Sequence, residues 1–398
     1  MNRIGRAQLL VATGALLILG SRAAHSDVVT AAELESSLRE QLESREFADV
    51  AVQAENWIAQ TETVEGRYDI ALAQPLVLLG DARMGLKDPI GALEAYDRAK
   101  HLVRLSDGIQ GTQQLDILYR EVDAFSALGE WTEANQRHEL AYDISRRAFG
   151  ADDRRHLGDA YRLVRWYRHH HKIIAAHVVL EQLIDTVRSE GEKEPLIRLL
   201  REQASLWRQS SFSRRKAGRG HFAAWPPGVQ RLPPWQDFFP FREGRDALGE
   251  IIALHEESSD SNDELATALL EYADWHLLFG DYATSVRHYR RVWQLLDENP
   301  DRRASIFEEP TPLFLPLPRN PGNRRAQVGG SQDGVVQLAL TVTHRGRVVG
   351  RKTLHVEPRT IMEHRVRIAA RKARYRPAFR EGNPVKIKGH PLEFTYTY

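Results

Sequence analysis

Three consecutive histidines, His169, His170 and His171, form the one cluster in the chain whose residue types invite a metal ion. On a helix, neighbouring side chains point about 100° apart, so three in a row cannot converge on a single ion. The triplet also falls where a turn between two helices is expected, which favours a solvated turn. Carboxylate pairs such as Glu256-Glu257 and Glu308-Glu309 have no histidine or second carboxylate at a spacing that would build an acid–base pair, and they read as exposed faces. The chain has no Gly-x-Ser-x-Gly elbow, no Gly-x4-Gly-Lys-Ser/Thr phosphate loop and no His-Glu-x-x-His zinc helix. It also has no cysteine, which excludes disulfides and thiolate ligands and fits an oxidising compartment, where stray thiols are a liability. No catalytic, cofactor-binding or metal-binding residue is expected, and the chain reads as a non-enzyme.

The elements that would have to position any site are mostly helical. Val50, Ala92, Ala134 and Ala176 lie 42 residues apart, each early in a candidate helix that follows another. Small residues matter at such positions because two helices approach closely only where a side chain is nearly absent. Leu76, Leu79 and Gly80 stand before Ala92, Tyr96 and Ala99, while Leu118 and Phe125 stand before Gly129, Trp131, Ala134 and Ala141. This pattern resembles the tetratricopeptide repeat. Glu264 to Asp297 adds a further unit, with Gly280-Asp281-Tyr282 before Ser285 and Tyr289. The 42-residue period, with Ala148-Phe149-Gly150-Ala151-Asp152-Asp153 between units, is similar to the long repeats of kinesin light chains in architecture. Single units cannot bury their apolar faces, so a stacked solenoid with a binding surface on its inner curve is implied.

Two segments break the helical pattern. Between Ser210 and Arg245 dense proline forbids a continuous helix, yet Trp225, Trp235, Phe238, Phe239 and Phe241 make the stretch too apolar for a free linker. It reads as an insertion between the two helices of an irregular fifth repeat. Its aromatics would rest on the solenoid; in the alternative, Trp225, Trp235, Phe238 and Phe239 meet a partner. The basic Arg214-Arg215-Lys216 cluster reads as a solvated loop rather than a nucleic-acid site. A second break, over 300–332, is rich in proline and then glycine, and reads as a linker whose apolar first half, Phe307 to Leu317, packs on the last repeat.

Beyond the linker the period changes. Val336, Leu338, Leu340 and Val342 alternate with smaller or polar residues, and a turn at His344-Arg345-Gly346-Arg347 lets Val348 to Val356 return antiparallel. Thr360 and Glu363 have capping-box spacing and predict a helix directly after Pro358, with Met362, Val366, Ala369, Ala370 and Ala373 on one face. Pro377 is expected to end it, and Gly382-Asn383-Pro384 to turn the chain into a last run from Val385 to Tyr398. In that run the apolar side changes parity across Lys388-Gly389-His390-Pro391, which predicts a bulge.

This strand–strand–helix–strand order, with Tyr375-Arg376-Pro377-Ala378 and Gly382-x-Pro384-Val385, resembles the C-terminal domain of TonB-family proteins over about a sixth of the chain. The resemblance implies a helix packed on a small sheet, closed onto it by the arginine and proline, with an exposed edge that accepts a partner's strand. Tyr375, Arg376, Pro377, Gly382, Pro384, Leu392, Phe394 and Tyr396 are the partner-binding candidates it marks. TonB proper also needs a membrane anchor and a long Pro-rich spacer, and this sequence shows neither.

At the amino end, Arg3 and Arg6 precede an apolar stretch from Leu9 to Gly20 and then Ala24-His25-Ser26, the pattern of a secretory signal cleaved before Asp27. About a dozen apolar residues fall short of the ~20 that span a bilayer; an uncleaved anchor in the inner membrane, facing the periplasm, is the alternative. Charge divides sharply. From Arg324 onward 16 basic and five acidic residues give +11, and Asp27 to Asn323 carries −13. The tail is expected to dock on the solenoid; anionic membrane surfaces and homodimerisation through the tail are the other outlets.

The fold expected is mainly α: a signal peptide at 1–26, a tetratricopeptide-like α-solenoid over 27–299 with the insertion at 210–245, the linker at 300–332 and a small α+β, TonB-C-like domain at 333–398. The expected function is that of a periplasmic adaptor for protein partners in the cell envelope. Its solenoid would hold one protein and its tail dock another by strand addition. The alternative is a TonB-type energy transducer for outer-membrane transport with a retained anchor. No cofactor and no nucleic acid are expected.

Overall fold

A computed structural model describes residues 30–150, 153–212, 239–258, 261–316, 318, 333–358 and 362–397. The described residues fall into two compact units, one up to His170 and the other from His171 onward.

The first unit is a stack of antiparallel helix pairs: α1 (Ala31–Glu43), α2 (Phe47–Glu65), α3 (Ala73–Gly85), α4 (Pro89–Asp107), α5 (Leu115–Leu128), α6 (Trp131–Phe149) and α7 (Leu157–His169). Local chemistry sets their ends. A capping box between Thr30 and Glu33 opens α1, and Asp88 accepts from the Gly91 amide ahead of Pro89, which needs no donor at the start of α4. Gly66, Gly108 and Gly150, one 42-residue period apart, end α2, α4 and α6 at φ +92°, +80° and +100°, a region that favours glycine. The expected register holds. Val50, Ala92 and Ala134 are each the fourth residue of their helix and each fully buried. The helices of a pair approach closely at Gly80, where an added Cβ would lie 2.2 Å from the Tyr96 ring. Between the pairs, Glu121 is buried and shared by Lys100 and by Arg137, whose Nε is 2.9 Å away.

The second unit begins with α8 (Ile173–Glu190), α9 (Lys193–Phe212), α10 (Pro240–Glu257), α11 (Asn262–Leu278), α12 (Tyr282–Leu295) and α13 (Pro300–Phe307). Ala176 and Ser285 again occupy the fourth helical position, both fully buried. The first and last residues of the segment expected as an insertion are helical: α9 runs to Phe212, and α10, packed against it, starts at Pro240. Residues 213–238, with Trp225, Trp235 and Phe238, lie outside the described residues.

The same unit continues through β1 (Thr311–Phe314), β2 (Asp333–Val342), β3 (Val348–Glu357), α14 (Glu363–Lys372), β4 (Arg374–Arg376), β5 (Phe379–Arg380), β6 (Asn383–Pro384) and β7 (Ile387–Thr397). β2 is central in an antiparallel sheet ordered β3-β2-β7. Its alternation is as expected, with Val336, Leu338, Leu340 and Val342 buried against Val366 and Ala370 of α14. The bulge is present too: pairing shifts between Leu340↔His390 and Thr341↔Lys388, leaving Gly389 over at φ +81°.

Three expectations are corrected. The stretch from residue 300 is no linker at its start, since it forms α13 and then β1, which pairs with β4. The tail helix starts at Glu363 without a side-chain cap, and the Glu363 carboxylate instead accepts from the Thr353 hydroxyl at 2.7 Å; Thr360 lies outside the described residues. Nor does Pro377 end that helix. The chain turns extended at Ala373, φ −63° and ψ 153°, and Arg374–Arg376 form a strand, the backbone that a residue preceding proline favours.

Candidate functional site

One polar arrangement recurs along the chain. Tyr96 of α4 donates its hydroxyl to Asp81 of α3 at 2.7 Å, and Arg120 of α5 donates Nε to the same oxygen at 2.8 Å. In the second unit Tyr289 of α12 donates to Asp274 of α11, also at 2.7 Å. In both cases the tyrosine follows its aspartate by 15 residues. The arginine completing the second arrangement comes from the tail: Arg376 of β4 places Nε 3.0 Å and Nη2 2.6 Å from the two Asp274 oxygens. Burial, with the aspartate charge next, pushes both tyrosine hydroxyls far above their usual range, so they are donors at any ordinary pH. Burial works against the Arg376 charge, but Asp274 outweighs it and the guanidinium is held above its ordinary value.

Where α5, α6 and α7 meet, the same arrangement is left open. One period after Asp81, Tyr96 and Arg120 stand Asp123, His138 and Arg162. Arg162 makes no ion pair with Asp123; its guanidinium lies over the Tyr119 ring, 4.3 Å from the centroid, and Tyr119 donates to Asp159 at 2.6 Å. His138 is held between Tyr119 and Trp166, with centroids 5.7 and 4.6 Å away, and its Nδ1 is buried with no hydrogen-bond partner among the described residues. A tyrosine does not fit there. The place that Gly80 leaves empty for Tyr96 is filled, one period on, by the buried Val122. The result is an open groove of about 500 Å³, lined by Asp81, Asp116, Tyr119, Arg120, Asp123 and His138, with Arg162 at its side.

Electrostatics sharpen the contrast. Burial, with help from the Arg162 and His170 charges, pulls His138 down to about 4, so its ring is neutral at pH 7. Asp123 is held above the usual carboxylate range, by loss of hydration first; Arg120 opposes this and Asp81 adds to it. The lining thus carries three carboxylates against two guanidiniums. A second depression of about 280 Å³, between α2, α3 and α4, is already internally paired, Arg83 with Glu55 and Arg98 with Glu62.

The tail residues marked from sequence do not form one surface. Tyr375, Leu392, Phe394 and Tyr396 are buried in the core between the sheet and α14. Pro377 is buried and Pro384 half-buried, the latter paired with Phe379. Arg376 turns to the helices rather than closing α14 onto the sheet, and Phe379 is fully buried among Tyr289, Trp293 and Phe307. Gly382, at φ +74°, faces Trp293. The tail therefore docks on α11 and α12, assisted by the hairpin tip, where Arg345 lies 5.2 Å from the Tyr282 ring centroid. Phe239 is exposed, under the Arg242 guanidinium. His169 closes α7, and His170 and His171 form the turn after it, with the His170 ring tilted against Trp166, centroids 4.1 Å apart. Among the described residues no group of three or more His, Cys, Asp or Glu side chains could hold a metal, and no helix is long and apolar enough to cross a membrane.

No protein-family model matches the chain, and no curated protein matches its sequence. Solved structures of helical repeats do. The nearly identical TPR-like repeats described as those of a Podosopora anserina kinesin light chain are 13% identical, with a TM-score of 0.42, over 58% of this chain and 97% of that one. BtubC (BKLC) from P. vanneervenii is 13% identical, with a TM-score of 0.38, over 72% of this chain and 96% of that one. The helix pairs themselves carry the repeat architecture; the groove residues Asp123, His138 and Arg162 were hidden from the sequence reading, although the 42-residue period that marked Ala92 and Ala134 also marks them.

Proposed function

We propose that this protein is an adaptor for protein–protein contact that works outside the cytoplasm, in the periplasm. The observation that carries the adaptor reading is the open groove at Asp123, His138 and Arg162, where, among the described residues, the recurring Tyr–Asp–Arg arrangement is left for something else to complete. Stacked helix pairs present such grooves on rigid elements, so a partner's extended segment pays little to order its receptor. A photo-crosslinking residue at the exposed Asp116 is expected to trap a partner in cell extract, whereas one at the exposed Val52 is not. Equal trapping from both positions, or none from Asp116, rules the groove out.

The tail supplies the second contact in this reading. Among the described residues β7 pairs only with β2, so its outer backbone edge can take a strand, as the likeness to TonB-family domains implies. A crosslinker at the exposed Thr395 tests it: trapping there marks the edge as occupied. Export rests on the basic, apolar and small-residue order of the first 26 residues, which lie outside the described residues. Amino-terminal sequencing of the mature protein is expected to begin at or near Asp27; a full-length product extracted only by detergent would favour an anchored transducer.

A further inference from the structure

The groove has an internal precedent for its ligand. At Asp274 the aspartate of a helix pair is met by an arginine that does not belong to a following helix pair but to an extended segment, Arg374–Arg376, which is held as a strand by β1. Asp81 is met by an arginine as well, from the next helix. Asp123 is the same position one period after Asp81, with no arginine on it and an open cavity above it.

We propose that Asp123 is the receptor for an arginine side chain of a partner protein, presented on an extended segment in the way the tail presents Arg376 to Asp274. This rests on the adaptor reading of the groove and names the chemistry of what enters it.

Three features of the site favour that ligand. A guanidinium can donate two parallel hydrogen bonds to one carboxylate, the geometry Arg376 uses on Asp274, whereas an ammonium cannot reproduce it. The lining is net acidic, with Asp81, Asp116 and Asp123 against Arg120 and Arg162, so a single added cation neutralises it. The groove also carries aromatic lining, Tyr119 and the neutral His138 ring, and aromatic surface of this kind already holds a guanidinium where Arg162 lies over Tyr119. Val122 makes the vacancy permanent, since it fills the space a tyrosine would need to reach Asp123 from within.

The test uses the full chain and a fluorescein-labelled peptide of the sequence Ala373 to Phe379, followed by fluorescence anisotropy. The peptide is expected to bind, and replacing its two arginines with citrulline, which keeps the shape and removes the charge, is expected to weaken binding at least tenfold. Asp123→Asn should cause a similar loss while leaving the helical circular dichroism unchanged, and Asp123→Glu should recover part of it. Raising the salt from 50 to 500 mM should weaken the wild-type complex several-fold. Binding that is indifferent to Asp123→Asn or to citrulline overturns the proposal. The crosslink from Asp116 then separates the two ideas: a partner trapped there equally by wild type and Asp123→Asn leaves the groove as a docking site but removes the arginine from it, and no trapping with no peptide binding removes both.

Discussion

Arg376 and Asp274 are 102 residues apart in sequence and are joined by two hydrogen bonds, of 3.0 and 2.6 Å. Both side chains are largely buried, at 11% and 18% exposure, so removing one partner strands the other. Arg376→Ala is expected to destabilise the second unit by about 3–5 kcal/mol, and Arg376→Met combined with Asp274→Leu by less, because the pair's desolvation cost disappears with it. Urea unfolding followed by Trp fluorescence measures both. A single variant as stable as the wild type would show that the tail is held by its apolar contacts alone.

The open groove gives a second prediction, one of non-additivity. His138→Tyr should overpack against Val122 and cost ~1–3 kcal/mol. With Val122→Ala added, the new hydroxyl can reach Asp123 as Tyr96 reaches Asp81, and the double variant should regain stability and lose affinity for the arginine peptide. Thermal melts of the two single variants and the double variant form the cycle.

Acid should loosen the second unit through His177. This histidine is 2% exposed in α8, beside the Trp207 ring, and burial pulls it down to about 4. Its unfolded counterpart titrates near 6.5, so the unfolded chain binds the proton first. The stabilisation is complete above pH 6.5 and is lost as the pH falls from there towards 4, on the order of 2–3 kcal/mol over that window. His177→Gln should flatten the slope between pH 7 and pH 4.5; an unchanged slope would place the acid sensitivity elsewhere.

Ala134 tests the register of the repeats. It is fully buried as the fourth residue of α6, so Ala134→Leu should lower the thermal midpoint, at a cost of ~1–3 kcal/mol. An unchanged midpoint would contradict the close crossing.

Features whose cause is local were legible in the sequence. Small residues 42 apart gave the helix crossings, period-two alternation gave β2, and the parity change across Gly389 gave the bulge, since each is a rule acting within one or two elements. Long-range partners were not. Nothing near Tyr375 or Arg376 shows that their strand pairs with Thr311–Phe314 or that the arginine seeks α11, and so Arg376, with Pro377, was read as closing a helix onto its own sheet. The groove was hidden for a different reason. Asp123, His138 and Arg162 look like ordinary polar helix residues until the filled versions at Asp81 and Asp274 show what each position normally does.

A stack in which the aspartate and tyrosine of one pair are completed by an arginine from the next helix, as Asp81 and Tyr96 are by Arg120, has no intrinsic length, in the way a growing polymer has none. Arg376 and Phe379 act as a chain terminator: they satisfy the last aspartate and cover the last aromatic surface with residues from the same polypeptide. Cutting the chain before Asp333 would leave Asp274 and Tyr289 as a reactive end, and molecules shortened in this way should add to one another head to tail, as concentration-dependent fibres or aggregates in place of monodisperse particles.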